Sequence, residues 1–205
     1  PFLGPDDPVQ AVRDFAERCK QFKTEAANIA LHDGMEEYLV GVEASFRVRN
    51  NPPEFCRDLP DDRWLVFDAR SFANIHNAAT TVDDPAGWDG KSVRMGPEVQ
   101  WNTQCRLNIE GKYRVRASLR CEGSLTEGPV GTWGVHNSHH QEANKSMTLE
   151  TKHFLTDDGS LDKKFRWIDL GTVDFRAGSY VWFSHGQNPT LDAIFVDRIV
   201  LVEEK

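Results

Sequence analysis

The order of apolar and polar positions divides the chain in two. Before residue 50, apolar residues recur at helical spacing. Val12, Phe15, Ala16, Cys19 and Phe22 share one face, and Met35, Tyr38, Leu39, Val42 and Phe46 share another. Asp6-Asp7-Pro8 offers a capping carboxylate with proline at the first helical position, and Asp33 with Glu36 three residues on has the form of a capping box. Pro52 and Pro53 end the second helix. Two short amphipathic helices cannot bury both stripes alone, so this lead is expected to pack on the following domain or on a neighbour.

From Trp64 onward the period becomes two. Tyr113, Val115, Ala117, Leu119 and Cys121 alternate with Lys112, Arg114, Arg116, Ser118 and Arg120, which predicts a strand with one buried and one solvated face. Val99, Trp101, Thr103, Cys105 and Leu107 alternate likewise. The turn at Glu110-Gly111 predicts that these two strands pair as an antiparallel hairpin. Further strands are expected over 64–69, 92–95, 132–136, 146–152, 166–175, 179–184 and 193–202. Eight or nine short strands, separated by Gly/Pro/Asp-rich turns and no helices, read as a mostly β fold, an antiparallel β-sandwich preceded by an N-terminal helical pair. The expected division is 1–58 for the helical lead and 59–205 for the sandwich.

Composition narrows the function without naming it. The chain has 205 residues, long enough for a full core without disulfide or metal staples. It carries 24 Lys+Arg against 32 Asp+Glu, a net charge of −8. An acidic chain is a poor binder of phosphate backbones, so nucleic acid is not an expected partner. No apolar run approaches the length of a membrane-spanning helix, and no membrane partner is expected. The first residues show no basic stretch followed by an apolar one, so no signal peptide is expected there. The cysteines at 19, 56, 105 and 121 fit no metal-ligand spacing. In the expected hairpin Cys105 faces Ala117 rather than Cys121, and free buried thiols are expected.

Several motifs recur in an order that resembles a known family. Phe67-Asp68-Ala69 lies in the first strand, followed by 82–91 with its Gly87-Trp88-Asp89-Gly90-Lys91, and then by Glu110-Gly111-Lys112-Tyr113. Leu170-Gly171-Thr172-Val173, Ala177-Gly178-Ser179-Tyr180 and Phe195-Val196-Asp197-Arg198-Ile199 close the series. Over roughly 64–202 this resembles the galactose-binding-like jelly roll of carbohydrate-binding modules, particularly families six and thirty-five. It is also similar to the C-terminal β domain of glucuronidase-like glycoside hydrolases, where a helical pair lies just upstream.

The resemblance implies a non-catalytic module that holds polysaccharide or oligosaccharide and serves an attached or associated glycoside hydrolase. The different-class alternative is an accessory β domain that packs on a glycosidase and binds no sugar. A secreted or periplasmic setting follows if the carbohydrate reading holds. The resemblance also implies a structural calcium with Asp68 and Asp197 among its ligands. The family's usual ligand after the alanine is a glutamate, however, and here that position is Arg70, a cation that cannot ligate calcium. Asp197 is expected to pair with Arg70 instead.

Sugar rings stack on aromatic faces, and their hydroxyls are fixed by amides, carboxylates or imidazoles. The loops implied for that task are 74–91, 133–145 and 185–192. Their candidate contact residues are Trp88, Asp89, Trp133, His136, His139, His185 and Asn188. Trp88 is either a sugar platform or the anchor of its loop. Asn188 is either a sugar contact or a turn residue before Pro189. Trp101 falls on the core phase, Trp64 and Trp167 open strands, and Trp133 and Trp182 lie on strands with aromatics on both phases. His136, His139 and His140 form a cluster that His185 would join if it lay at the same end. Their spacing is no known metal motif. Arg114, Arg116 and Arg120 read as a solvated row, or as a contact for an anionic polysaccharide. The Asp61-Asp62, Asp83-Asp84 and Asp157-Asp158 doublets flank turn residues, and adjacent carboxylates seldom oppose each other across a cleft as glycosidase chemistry requires. No nucleophile elbow, phosphate loop or dinucleotide fingerprint is present, and no catalytic residue is assigned. Asn144-Lys145-Ser146 forms an N-glycosylation sequon.

Overall fold

The structure is a computed structural model, which describes residues 52–204 apart from 75–78, 98–102, 125–127, 187 and 189. The expected helical pair and Trp101 lie outside the described residues. Glu54–Cys56 forms a single 3-10 turn. The compact unit Asp62–Lys205 carries the sheets.

Eleven strands follow one another among the described residues: β1 (Trp64–Asp68), β2 (Ala73–Asn74), β3 (Ala79–Asp83), β4 (Lys91–Met95), β5 (Thr103–Arg106), β6 (Gly111–Gly123), β7 (Pro129–His136), β8 (Lys145–Glu150), β9 (Arg166–Phe175), β10 (Tyr180–His185) and β11 (Leu191–Glu203). They form two antiparallel sheets. The larger runs β3-β4-β11-β6-β9, with β1 also paired to β11, and the smaller runs β2-β5-β10-β7-β8. The antiparallel β-sandwich expected from the period-two pattern is therefore present. Its core lies between the sheets. Val115, Ala117, Leu119 and Cys121 of β6 meet Val181 and Phe183 of β10 and Trp133 and Val135 of β7 in one buried cluster.

The expected hairpin across Glu110-Gly111 does not form. β5 pairs with β10 and β2 in one sheet, while β6 pairs with β11 and β9 in the other, so the chain changes sheets between them. The crossing is held by the Leu107 backbone N–H, which donates to Ser179 O at 2.9 Å. Cys105 and Cys121 are consequently on opposite sheets, both buried as free thiols. Burial raises both thiols, Cys105 to about 12.

β11 is the organising strand. Along one edge it pairs with β6 over almost its whole length. Along the other it takes two partners in tandem, β4 opposite 194–196 and β1 opposite 198–202. The register of β6 on β11 shifts between Val196 and Arg198, so Asp197 is the extra residue of a bulge at the joint between β4 and β1. No helix among the described residues is long and apolar enough to cross a membrane.

Candidate functional site

The structure distributes the residues singled out from the sequence over several places. The first is the joint on β11. The loop from Asp84 to Gly90 is folded tightly: Gly87 N–H donates to Asp84 O, and Asp84 N–H donates to Gly90 O, both at 2.9 Å. A Cβ at Gly87 would lie 2.5 Å from Lys91 O, so only glycine fits this turn. The loop delivers Trp88 to β11, where its backbone N–H donates to Asp197 Oδ1 at 2.9 Å. The indole stands over the Arg198 guanidinium, 4.6 Å from the ring centroid, and Trp167 stands 5.1 Å from the same group. Arg198 is thus held between two indoles, a cation–π arrangement that commits one face of Trp88 to the fold. Asp197 is buried, and desolvation raises its pKa against the pull of Arg198, whose Nε lies 3.6 Å away.

Asp68, Arg70 and Asp89 meet at the same joint. Asp68 Oδ1 accepts from the Arg70 backbone N–H at 3.1 Å and from Ser71 Oγ at 3.2 Å, capping the short turn after β1. Arg70 Nη1 bonds Asp68 Oδ2 at 3.4 Å and also bonds Asp89 Oδ2. Arg70 therefore pairs with Asp68 and Asp89, and Asp197 pairs with its neighbour Arg198 rather than with Arg70 as expected. The donor set does not fit calcium, which takes six to eight oxygens. A guanidinium stands between the carboxylates, and no group of three or more metal-ligating side chains occurs among the described residues.

The second place is the loop after β7. Asn137 is buried, and its amide is fully used. Nδ2 donates to Ala177 O at 3.0 Å and to Ser179 Oγ at 3.2 Å, while Oδ1 accepts the backbone N–H groups of His139 and His140. The histidine loop is thus held through its backbone, leaving the His139 and His140 side chains exposed. His185 does not join them. His136 lies opposite Tyr180, whereas His185 lies opposite Gly131, so the two sit at opposite ends of β10, about 16 Å apart at ~3.3 Å per residue. His185 is buried, with Nδ1 bonded to Gly186 O, and burial lowers its pKa. At that end Asn188 is also buried. Its Oδ1 accepts from Thr190 N–H at 3.1 Å and Thr190 Oγ1 at 2.7 Å, which closes the turn into β11.

The third place is the outer face of the smaller sheet. Phase decides which aromatics reach it. Trp133 is wholly buried between the sheets and presents no face to a ligand, which corrects its assignment as a contact residue. Val181 and Phe183 alternate with Tyr180 and Trp182, which lie half-buried on the outside. Trp182 faces Gly134 across the strand pair. A Cβ there would fall 2.5 Å from Trp182 Cζ2 and 2.6 Å from Cε2, so the missing side chain lets the indole lie against β7. Beside it the His136 ring packs at a tilt against Tyr180, 5.2 Å between centroids. Arg106 and Gln104 are the cross-strand partners of Tyr180 and Trp182 on β5. One row of the face thus reads Arg106, Tyr180, His136, and the next reads Gln104, Trp182, Gly134, Ser146. Trp182 and Tyr180 were legible only as residues of ambiguous phase. The paired signal was a glycine on one strand and a tryptophan on another that becomes its neighbour.

The row Arg114, Arg116 and Arg120 is solvated only in part: Arg114 is exposed and Arg116 half-buried. Arg114 and Arg116 pair with Asp169 at 2.7 and 3.7 Å. Arg120 is buried on the outer face of the larger sheet, 3.6 Å from the Phe195 ring centroid and 2.8 Å from Asp84 Oδ2. A groove of about 350 Å³ lined by Gly128, Glu150, Thr151, Lys152 and Leu155 holds none of the candidate residues.

No family model and no curated protein matches the chain. Solved structures to which it is similar include carbohydrate-binding modules. The family 35 carbohydrate binding module from Clostridium thermocellum is 15% identical, with 67% of this chain and 98% of that one covered, at a TM-score of 0.44. The C-terminal CBM6 of a marine laminarinase from Zobellia galactanivorans is 13% identical, with 68% and 99% covered, at 0.44. The CBM22-1 xylan-binding domain from Paenibacillus barcinonensis is 11% identical, with 69% and 95% covered, at 0.46.

Proposed function

We propose that the chain is a non-catalytic module that binds carbohydrate on the outer face of its smaller sheet and keeps an attached or associated glycoside hydrolase near polysaccharide. The observation that carries this reading is the indole of Trp182 lying against Gly134. A tryptophan spread along a sheet offers a broad apolar platform to the C–H face of a sugar ring. Tyr180 adds a second ring, and His136, Gln104 and Arg106 set polar groups around the pair where hydroxyls need partners. His139, exposed in the loop that follows His136, is a rim contact in this reading. Trp88, Asp89, His185 and Asn188 act in the fold, since each is engaged by the contacts described above.

The test is retention in affinity gels across neutral and uronic-acid-containing polysaccharides. Trp182→Ala and Tyr180→Ala are each expected to weaken retention roughly tenfold, the upper range of a single aromatic contact, while the protein still unfolds in one cooperative transition. Retention equal to the parent in a folded Trp182→Ala would remove this face from the proposal. Silence of the folded parent on every glycan would favour the accessory domain that packs on a glycosidase.

A further inference from the structure

The joint on β11 gathers three carboxylates, Asp68, Asp89 and Asp197, against two guanidinium groups, Arg70 and Arg198. Asp89 and Asp197 expose only 2% and 3% of their side chains, and Asp68 only 11%. Burial is the main cause of the raised pKa of Asp197, and the charge of Asp89 adds to it. Buried like charges brought together oppose folding unless a cation stands among them. That cation is on the page. Arg70 Nη1 is bonded to Asp68 Oδ2 and to Asp89 Oδ2 together, so one nitrogen occupies the point on which two carboxylates from separate segments converge. Asp68 belongs to the end of β1 and Asp89 to the loop entering β4, and these are the two strands that abut along one edge of β11.

We propose that Arg70 is a built-in replacement for a divalent cation at this joint, so that the chain fastens β1 to the 84–90 loop without calcium. A metal ion would need the space that the guanidinium fills and the oxygens that it already uses. The arginine also differs from an ion in being covalently part of β1's own exit turn, so the fastening cannot be lost by chelation. Its neighbour Arg198, fixed between Trp88 and Trp167, provides the second positive charge against Asp197.

The experiment is thermal unfolding of the parent, Arg70→Gln and Arg70→Lys in chelator and in about 5 mM calcium, a concentration above the range of weak extracellular sites. The parent is expected to have the same Tm in both. Arg70→Gln is expected to lose several degrees in chelator and to regain them in calcium, because Asp68 and Asp89 are then left without their shared cation. Arg70→Lys restores a charge at that point and is expected to respond to calcium no more than the parent does. A parent whose Tm rises with calcium, with the rise lost in Asp89→Asn, would overturn the proposal. So would an Arg70→Gln protein whose Tm ignores calcium. Glycan retention is read separately on the same proteins, and its presence or absence leaves this outcome untouched.

Discussion

Replacing Asp84 by alanine removes the acceptor of four hydrogen bonds from one buried position. Oδ2 accepts from Arg120 Nη2 at 2.8 Å, from Arg120 Nε at 3.3 Å and from Ser92 Oγ at 2.7 Å, while Oδ1 accepts from the Ala86 N–H at 3.1 Å. Arg120 would be left buried over Phe195 with Glu122 alone, at 2.5 Å, as its counter-charge. Breaking a buried pair by deleting one partner costs about 3–5 kcal/mol. Because Glu122 remains, Asp84→Ala is expected at the lower end, about 3 kcal/mol, or roughly 9 °C in Tm for a unit of this size. Urea unfolding followed by tryptophan fluorescence measures it. The double variant Asp84→Ala/Arg120→Met should cost less than the two single changes added, since it removes both buried charges together. Hydrogen bonds and Arg120 hold the Asp84 carboxyl below its ordinary value despite desolvation. Its contribution is therefore full above the unfolded pKa of about 3.9 and fades as pH falls through the lower folded value. A cost below about 1 kcal/mol, or strict additivity in the double variant, would refute the claim that this pair anchors the 84–90 loop.

Gly134→Ala places a methyl against Trp182 and Lys145 O; it should lift the indole, cost about 1–3 kcal/mol and weaken glycan retention, all visible by fluorescence titration and urea unfolding. The thiols of Cys105 and Cys121 should resist a thiol reagent in buffer and react once denaturant is added, because burial raises both and keeps them protonated. His185 is buried with a lowered pKa, so the unfolded chain binds its proton first. Stability should fall as pH drops below about 6.5, and His185→Gln should flatten that slope in urea titrations. Asn137→Ala strips the His139–His140 segment of its backbone partner and should make that loop the first site of limited proteolysis.

The strand content of this chain was written in its alternation, and β9 begins and ends where Arg166 and Phe175 predicted. What alternation could not carry was partnership between distant segments. The Glu110-Gly111 turn signal is local, whereas the choice of sheet for β5 rests on Tyr180–His185, seventy-odd residues further on. A period of two also assumes that the polar phase meets water. At Arg120 it fails, because Phe195 and Asp84 arrive from other strands and cover that face. β3, with Thr80 and Thr81 exposed on a short edge, had too few apolar residues to register. The site followed the same rule. Trp133 and Trp182 looked alike in sequence, and only the antiparallel register of β7 on β10 sends one into the core and the other outward.

The pairing of β1 with β11 has a mechanical consequence. Trp64 lies opposite Val202, and Arg63 binds Glu203 at 2.8 Å, so the sandwich begins and ends at the same spot. A module with both ends tethered would feel tension across this single antiparallel pair. Its hydrogen bonds would break one after another from Trp64 towards Asp68, in the zipper direction that yields at low force. The Arg70–Asp68–Asp89 cluster stands where that zipper ends. It would act as the stop that keeps a pulled first strand from taking the rest of the sheet with it.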